Sequence, residues 1–225
     1  MATWMAHLRI AEKLLERYPG LDRKCFLVGS IGPDAGVPNE DYTEFSPPKT
    51  ISHWYDAAGR IDAEDFRRKY LINIQDYSKD EISFYLGYYV HLLSDLEWNK
   101  LYHKKKEEPI YKDNLAADPR FIWTIKDDWY GQDAVFLMEH PNTFFHREFV
   151  HITEFPNKYF DFFPPEAFTK SLRRIIHSYL TMVEDPNREF KYLTKEEMNR
   201  YVEESTEIIE DILASCIPID TEMCG

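Results

Sequence analysis

The stretch GYYVHLLSDLEWNK, residues 87–100, decides the fold. It is apolar and aromatic almost all round at helical spacing, the pattern of a helix buried on every side. One strip departs from it. Gly87, His91, Asp95 and Trp98 fall on a single face, because residues i and i+4 stack on a helix. A buried imidazole and a buried carboxylate each need partners. Upstream, SKDE at 78–81 places Glu81 at the third position after Ser78, the signature of a capping box. The spacing therefore predicts a central helix from Ser78 to about His103. Gly87 within it costs about 1 kcal/mol relative to alanine, and its missing side chain is expected to leave room beside the polar strip.

Outward from this helix the same periodicity recurs. Residues 4–18 read as an amphipathic helix with Trp4, His7, Leu8, Ala11, Leu14, Leu15 and Tyr18 on its buried stripe, stopped by Pro19 and Gly20. Residues 28–52, VGSIGPDAGVPNEDYTEFSPPKTIS, read as one long loop, and loops of that length inside a domain are usually functional or disordered. Helices are predicted over 62–73 with Asp62 as cap, over 118–139, from Pro164 and Pro165 to about Val183, and over 194–215. Residues 141–164 are irregular and crowded with Phe and Tyr. Strand signals are weak throughout. The expected fold class is all-α, a single multi-helix domain over residues 1–225 with two long loops.

With 44% hydrophobic and 16% aromatic residues the chain can bury a substantial core. Its net charge of −13 argues against nucleic acid as the main partner, since that affinity comes from cations neutralising phosphates. It leaves open a small phosphorylated substrate held by a metal. Cys25, Cys216 and Cys224 are too few and too irregular for a disulfide framework, which favours a reducing compartment. No basic region followed by an apolar run marks a signal peptide, and no apolar stretch reaches the ~20 residues of a membrane span. The expected location is cytoplasmic, with no stable membrane insertion. Oligomeric state is not legible.

Three further residues join the polar strip. His7 lies within the buried stripe of the first helix. Asp34 ends GSIGPD, a segment constrained by Pro33 and allowed unusual angles by Gly29 and Gly32. His53 ends the loop in TISHW. Taken singly, each has a bland reading: a hydrogen-bonded core histidine, a solvated turn aspartate, an ordinary loop histidine. Together His7, His53, His91, Asp34 and Asp95 make the donor set of a divalent metal site, with Zn²⁺ the leading candidate and other divalent metals possible. Five side chains suit two ions if one carboxylate bridges.

These segments resemble the zinc-dependent phospholipase C family, whose wider superfamily includes the P1/S1-type nucleases. The resemblance covers roughly residues 1–105 and rests on HLRIAEKLL, LVGSIGPDA, SHW and GYYVHLLSD, in that order. It implies an α-helical fold around a polynuclear zinc site. By the resemblance His91 and Asp95 fill the helix-borne HxxxD, His53 and Asp34 complete one metal, and His7 binds a neighbouring metal that shares Asp95. Two elements of the family pattern lack a counterpart. A further histidine is expected near Leu101, whereas His103 comes two residues later, and no HxxxE follows. Asp128, Asp133, His146, His151 and Glu154 are the weaker candidates for a third ion, each more simply a surface or structural residue.

The reaction expected of such a site is phosphoester hydrolysis on a phosphodiester or phosphomonoester, a small phosphorylated substrate or a phospholipid headgroup. Two metals lower the pKa of a shared water and clamp both oxygens of an in-line displacement. Asp34, carried on a loop, is the candidate for orienting or deprotonating that water. The aromatic segment 142–163 is expected to be a loop pinned to the core, with walling of the site as the alternative. The competing functions are a metal-dependent nuclease or nucleotide phosphatase, and a non-catalytic helical metal-binding protein. A catalytic site keeps an open position and a structural one is closed.

Overall fold

The central helix is the longest among the described residues. In the computed structural model, which describes residues 1–41 and 43–216, it runs Lys79–Lys106 (α5) and is started by the capping box of Ser78 and Glu81. His103 and the lysines after it continue the last turn, where cations complement the helix dipole, so the helix outlasts its expected end. From Ile82 to Asp95 it is buried on all faces.

Around α5 lie α1 (Trp4–Arg17), α2 (Arg23–Gly29), α3 (Lys49–Ser52), α4 (Ala63–Tyr70), α6 (Pro109–Ala117), α7 (Ile122–Glu139), α8 (Phe144–Arg147), α9 (Ala167–Thr181) and α10 (Lys195–Cys216). The only sheet among the described residues is the antiparallel pair β1 (Val37–Pro38) and β2 (Phe45–Ser46). The all-α expectation holds.

Several boundaries differ, each for a local reason. The segment 28–52 is not one loop: it contains the end of α2, a 3-10 turn at Gly32–Asp34, the β pair and α3. α2 is too short for periodicity to reveal; the Asp22 carboxylate caps it by accepting from the Cys25 N–H at 2.8 Å. α6 was not foreseen, although Pro109 sits in its favoured first turn. Pro164 and Pro165 precede α9 rather than open it, and Glu166 stands at the N-cap. α4 stops at Tyr70, short of residue 73. The Cys25 thiol is buried and pushed up to about 12 by that burial, so it stays protonated; the Cys216 side chain and Cys224 lie outside the described residues.

The closest approach in the core is between α2 and α5. A Cβ on Gly87 would stand 2.2 Å from the Phe26 carbonyl oxygen, and one on Gly29 would stand 2.2 Å from that of Phe84. Gly87 therefore makes room for the backbone of α2, not for the polar strip itself. This contact delivers Ser30, the C-cap of α2, to the α5 residues one turn further on. The irregular segment after α7 packs Phe144, Phe145, Phe149, Phe155, Tyr159 and Phe160 into the core, with Phe84 and Tyr159 stacked at 3.7 Å.

Candidate metal centre

Four elements converge on Asp95. α5 supplies His91 and Asp95, α1 supplies His7, the turn after α2 supplies Asp34, and His53 caps α3. His7 and His91 stack with ring centroids 3.7 Å apart. The Nε2 atoms of His7 and His91 each stand 3.6 Å from an Asp95 oxygen, on Oδ1 and Oδ2 respectively. His53 Nε2 lies 3.8 Å from Asp95 Oδ2 and 3.5 Å from Asp34 Oδ1. All three histidines and Asp95 are buried, and Asp34 is 9% exposed at its side chain.

The hydrogen bonding of these groups leaves their facing atoms open. His91 Nδ1–H donates to the Ser30 carbonyl at 2.8 Å, because a carbonyl can only accept. Ser94 spends its one hydroxyl hydrogen on the His91 carbonyl, so it accepts from His7 Nδ1–H at 2.6 Å. Both rings therefore present an Nε2 lone pair inward. The Nε2 atoms of His7, His53 and His91 and Oδ2 of Asp95 are buried without a hydrogen-bond partner. Such orphaned polar atoms are costly in an apolar interior, and at least three of the four are acceptors, which together call for a cation. Outer-shell bonds of this kind orient metal-binding imidazoles.

The electrostatics agree. Burial, with the nearby His91, pushes His7 down to about 3, and burial also lowers His53, so both stay neutral as metal ligands must. Burial alone would raise the Asp95 carboxyl, but positive charge facing it, whether on His91 and His7 or on a bound cation, outweighs it and holds the carboxyl below the usual carboxylate range. Lys49 and His53 do the same for Asp34. Asp95 also accepts the Ala2 N–H at 2.8 Å, and Asp34 accepts from Trp4 Nε1 at 3.1 Å and pairs with Lys49 at 3.3 Å. Donor atoms of His7, Asp34 and His91 lie within 4.8 Å of one another, as do those of His53, His91 and Asp95. Three imidazoles and two carboxylates suit a borderline cation such as zinc.

Removing the Ser94 hydroxyl tests the outer shell. Ser94→Ala is expected to lower zinc affinity by about 10–100-fold with little change in far-UV circular dichroism. Chelator competition measures it.

The weaker candidates lie elsewhere. His103 is exposed near the end of α5, and His151 and Glu154 are exposed. His146 is half-buried with Nε2 3.4 Å from the Leu137 carbonyl. Asp128 pairs with Arg188 and accepts from the Tyr192 N–H, each at 2.7 Å. Asp133 accepts from Thr3 Oγ1 at 2.8 Å and from the Tyr179 hydroxyl at 2.9 Å. It thus pins the start of α1, where Thr3 caps the helix. A third group, Asp22, Cys25 and Asp80, offers a protonated thiol and a helix cap rather than a metal set.

Asp133 carries a pH signature. Burial pushes its carboxyl from 3.8 up to about 7, despite its bonds to Thr3 and Tyr179. The folded chain holds this proton where the unfolded chain has released it, so the group's contribution to stability falls as pH rises from its unfolded to its folded pKa. The loss is about 4 kcal/mol over that window. Asp133→Asn is expected to lack this part of the slope, gaining on wild type as pH rises, as read from urea midpoints at each pH.

A cavity of about 650 Å³ opens beside the cluster, and Asp34 is part of its wall. Its aromatic lining comes from Trp4, Phe45, Tyr102, Trp129, Tyr130 and Tyr179, and none of residues 142–163 contributes. The alternative placing that segment at the site is thereby corrected: its rings are committed to the core. Sequence reading also missed Ser30, Ser94, Lys49, Lys126 and Arg174. The serines carry no local motif, and the cations lie on three separate elements.

The fold is all-α, and its histidine–aspartate cluster is a candidate metal centre with a cleft beside it. A family model described as zinc-dependent phospholipase C matches residues 6–205. The chain belongs to that family, which makes zinc the metal and phosphoester hydrolysis the class of chemistry. The match extends well past the residues 1–105 that carry the resemblance in the sequence. Searches of curated proteins and of solved structures found no match. Among the described residues no helix is long and apolar enough to cross a membrane.

Proposed function

We propose that residues 1–225 act as one hydrolase domain that cleaves a phosphoester in the cleft beside Asp34, using two zinc ions held by His7, Asp34, His53, His91 and Asp95. One observation carries this reading: Asp34 belongs both to the candidate ligand cluster and to the wall of a 650 Å³ cavity. A purely structural metal site would be closed. The two Asp95 oxygens face different imidazoles, His7 on one side and His91 with His53 on the other, which suits a bridging carboxylate.

Zinc in such a site supplies a water of lowered pKa and neutralises charge on the phosphoryl oxygens. The chain's own residues do the rest. Trp4 and Lys49 fix Asp34 so that its carboxylate meets a water entering from the cavity. Lys49 holds that carboxylate ionised, so it accepts the water's hydrogen bond and aims its lone pair at phosphorus. The apolar walls limit the water that reaches the ester.

A panel of bis-(4-nitrophenyl) phosphate, 4-nitrophenyl phosphate, phospholipid and nucleotide substrates, with and without chelator, tests the reading. Hydrolysis is expected with zinc and lost on chelation. Asp34→Asn is expected to lower kcat by about 10²-fold or more. A zinc-loaded protein inert on every ester contradicts the reading.

A further inference from the structure

The cavity wall has a charge unlike the rest of the molecule. The chain carries a net −13, yet the charged side chains lining the cavity are one carboxylate, Asp34, and three cations, Lys49, Lys126 and Arg174. Asp34 is turned into the metal cluster through His53. Lys126 is half-buried, and burial pushes its ammonium down. Among the described residues it makes no ion pair. Arg174 donates to the Asp34 carbonyl at 3.0 Å and lies 5.5 Å over the Trp4 ring. The uncharged part of the wall is largely apolar, with Phe45, Ile122, Trp129 and Met182 beside the hydroxyls of Thr3, Ser52 and Ser178.

A quaternary ammonium headgroup is held by carboxylates or by open aromatic faces. The one carboxylate of the wall serves the cluster and the Trp4 face is taken by Arg174, and the other rings of the wall stand among three cations, whose charge repels a quaternary ammonium. Cations spaced around a partly desolvated cleft instead favour extra negative charge on the ligand.

Resting on the hydrolase reading above, we infer that the cleft selects a phosphomonoester dianion borne on an apolar group over zwitterionic phosphocholine esters. Lys49, Lys126 and Arg174 are the specificity-determining residues. The phosphate end meets the cations and the cluster, and the apolar end lies along the aromatic wall.

Binding to the zinc-loaded protein tests this separately from turnover. Hexylphosphonate, at a pH where it is a dianion, and hexylphosphocholine are compared by calorimetry. The phosphonate is expected to bind at least about tenfold tighter. Because zinc also favours the dianion, Lys126 isolates the protein's share. Lys126→Met, at unchanged zinc content, is expected to shrink the ratio about three- to tenfold, and Lys126→Arg to keep it. Co-sedimentation with phosphatidylcholine vesicles containing phosphatidic acid separates the sources of the ester. Lysine-dependent partitioning marks a lipid, and binding of hexylphosphonate alone marks a soluble ester. Equal affinities, or a ratio unmoved by Lys126→Met, overturn the inference. Hydrolysis without charge preference defeats the inference alone, and charge preference without hydrolysis defeats the hydrolase reading alone.

Discussion

Asp95→Asn is expected to remove zinc and hydrolysis together. The oxygens of Asp95 approach all three imidazoles within 4 Å, at 3.6, 3.6 and 3.8 Å. An amide keeps one acceptor oxygen and turns an NH₂ toward the other side of the cluster. It also deletes a buried charge that offsets a divalent ion. Losing an outer-shell partner typically costs 10–100-fold in metal affinity or activity, so losing the central ligand should cost on the order of 10³-fold or more. The fold should survive, because the facing His7 is already held neutral by burial and the variant adds no buried charge. Elemental analysis and kcat on the same preparation measure both effects. Wild-type zinc content with wild-type turnover in Asp95→Asn is the contrary outcome.

Gly87→Ala is expected to be among the most damaging single methyl additions, with Gly29→Ala its mirror across the same contact. The added Cβ would stand 2.2 Å from the Phe26 carbonyl oxygen and 3.0 Å from the Ser30 nitrogen, both backbone atoms of the adjoining helix and its cap. No rotamer relieves a clash with backbone, so α2 must move away from α5. Overpacking of this kind costs about 1–3 kcal/mol and occasionally more, against the ~1 kcal/mol that alanine returns in helix propensity. The shift would also draw the Ser30 carbonyl from His91 Nδ1. Zinc affinity should therefore fall along with the urea midpoint. Gly59→Ala is the control: its φ of +74° strains any side chain, but nothing lies within 4 Å of the new Cβ. It should cost about 1 kcal/mol and leave zinc binding unchanged.

What was legible in the sequence follows from what is local. The capping box, the all-round apolar run and the HxxxD pair lie within one helix, and α5 forms where they place it. His7 was legible as an imidazole in a buried stripe. The roles of Ser30 and Ser94 were not, because a carbonyl and a small hydroxyl that set a histidine tautomer have no spacing of their own. Nor was the true use of Gly87, which depends on α2, a helix too short to show a period. The aromatic segment 142–163 read correctly as pinned to the core, although it is no plain loop, since it holds α8 and a 3-10 turn at Phe149–His151; its competing role at the site fails because the cleft is walled from α1, β2, α3, α5, α7 and α9. The cationic lining was invisible for the same reason. Lys49, Lys126 and Arg174 are scattered singly among a surplus of acids, and only the packing of three helices gathers them.

X-ray absorption at the zinc edge, on protein whose zinc content is measured alongside, tests the central claim most directly. The account predicts zinc in an oxygen and nitrogen shell with imidazole scattering, lost in His91→Ala while helical circular dichroism persists. A folded protein with no affinity for zinc, or zinc ligated by sulfur, would contradict it.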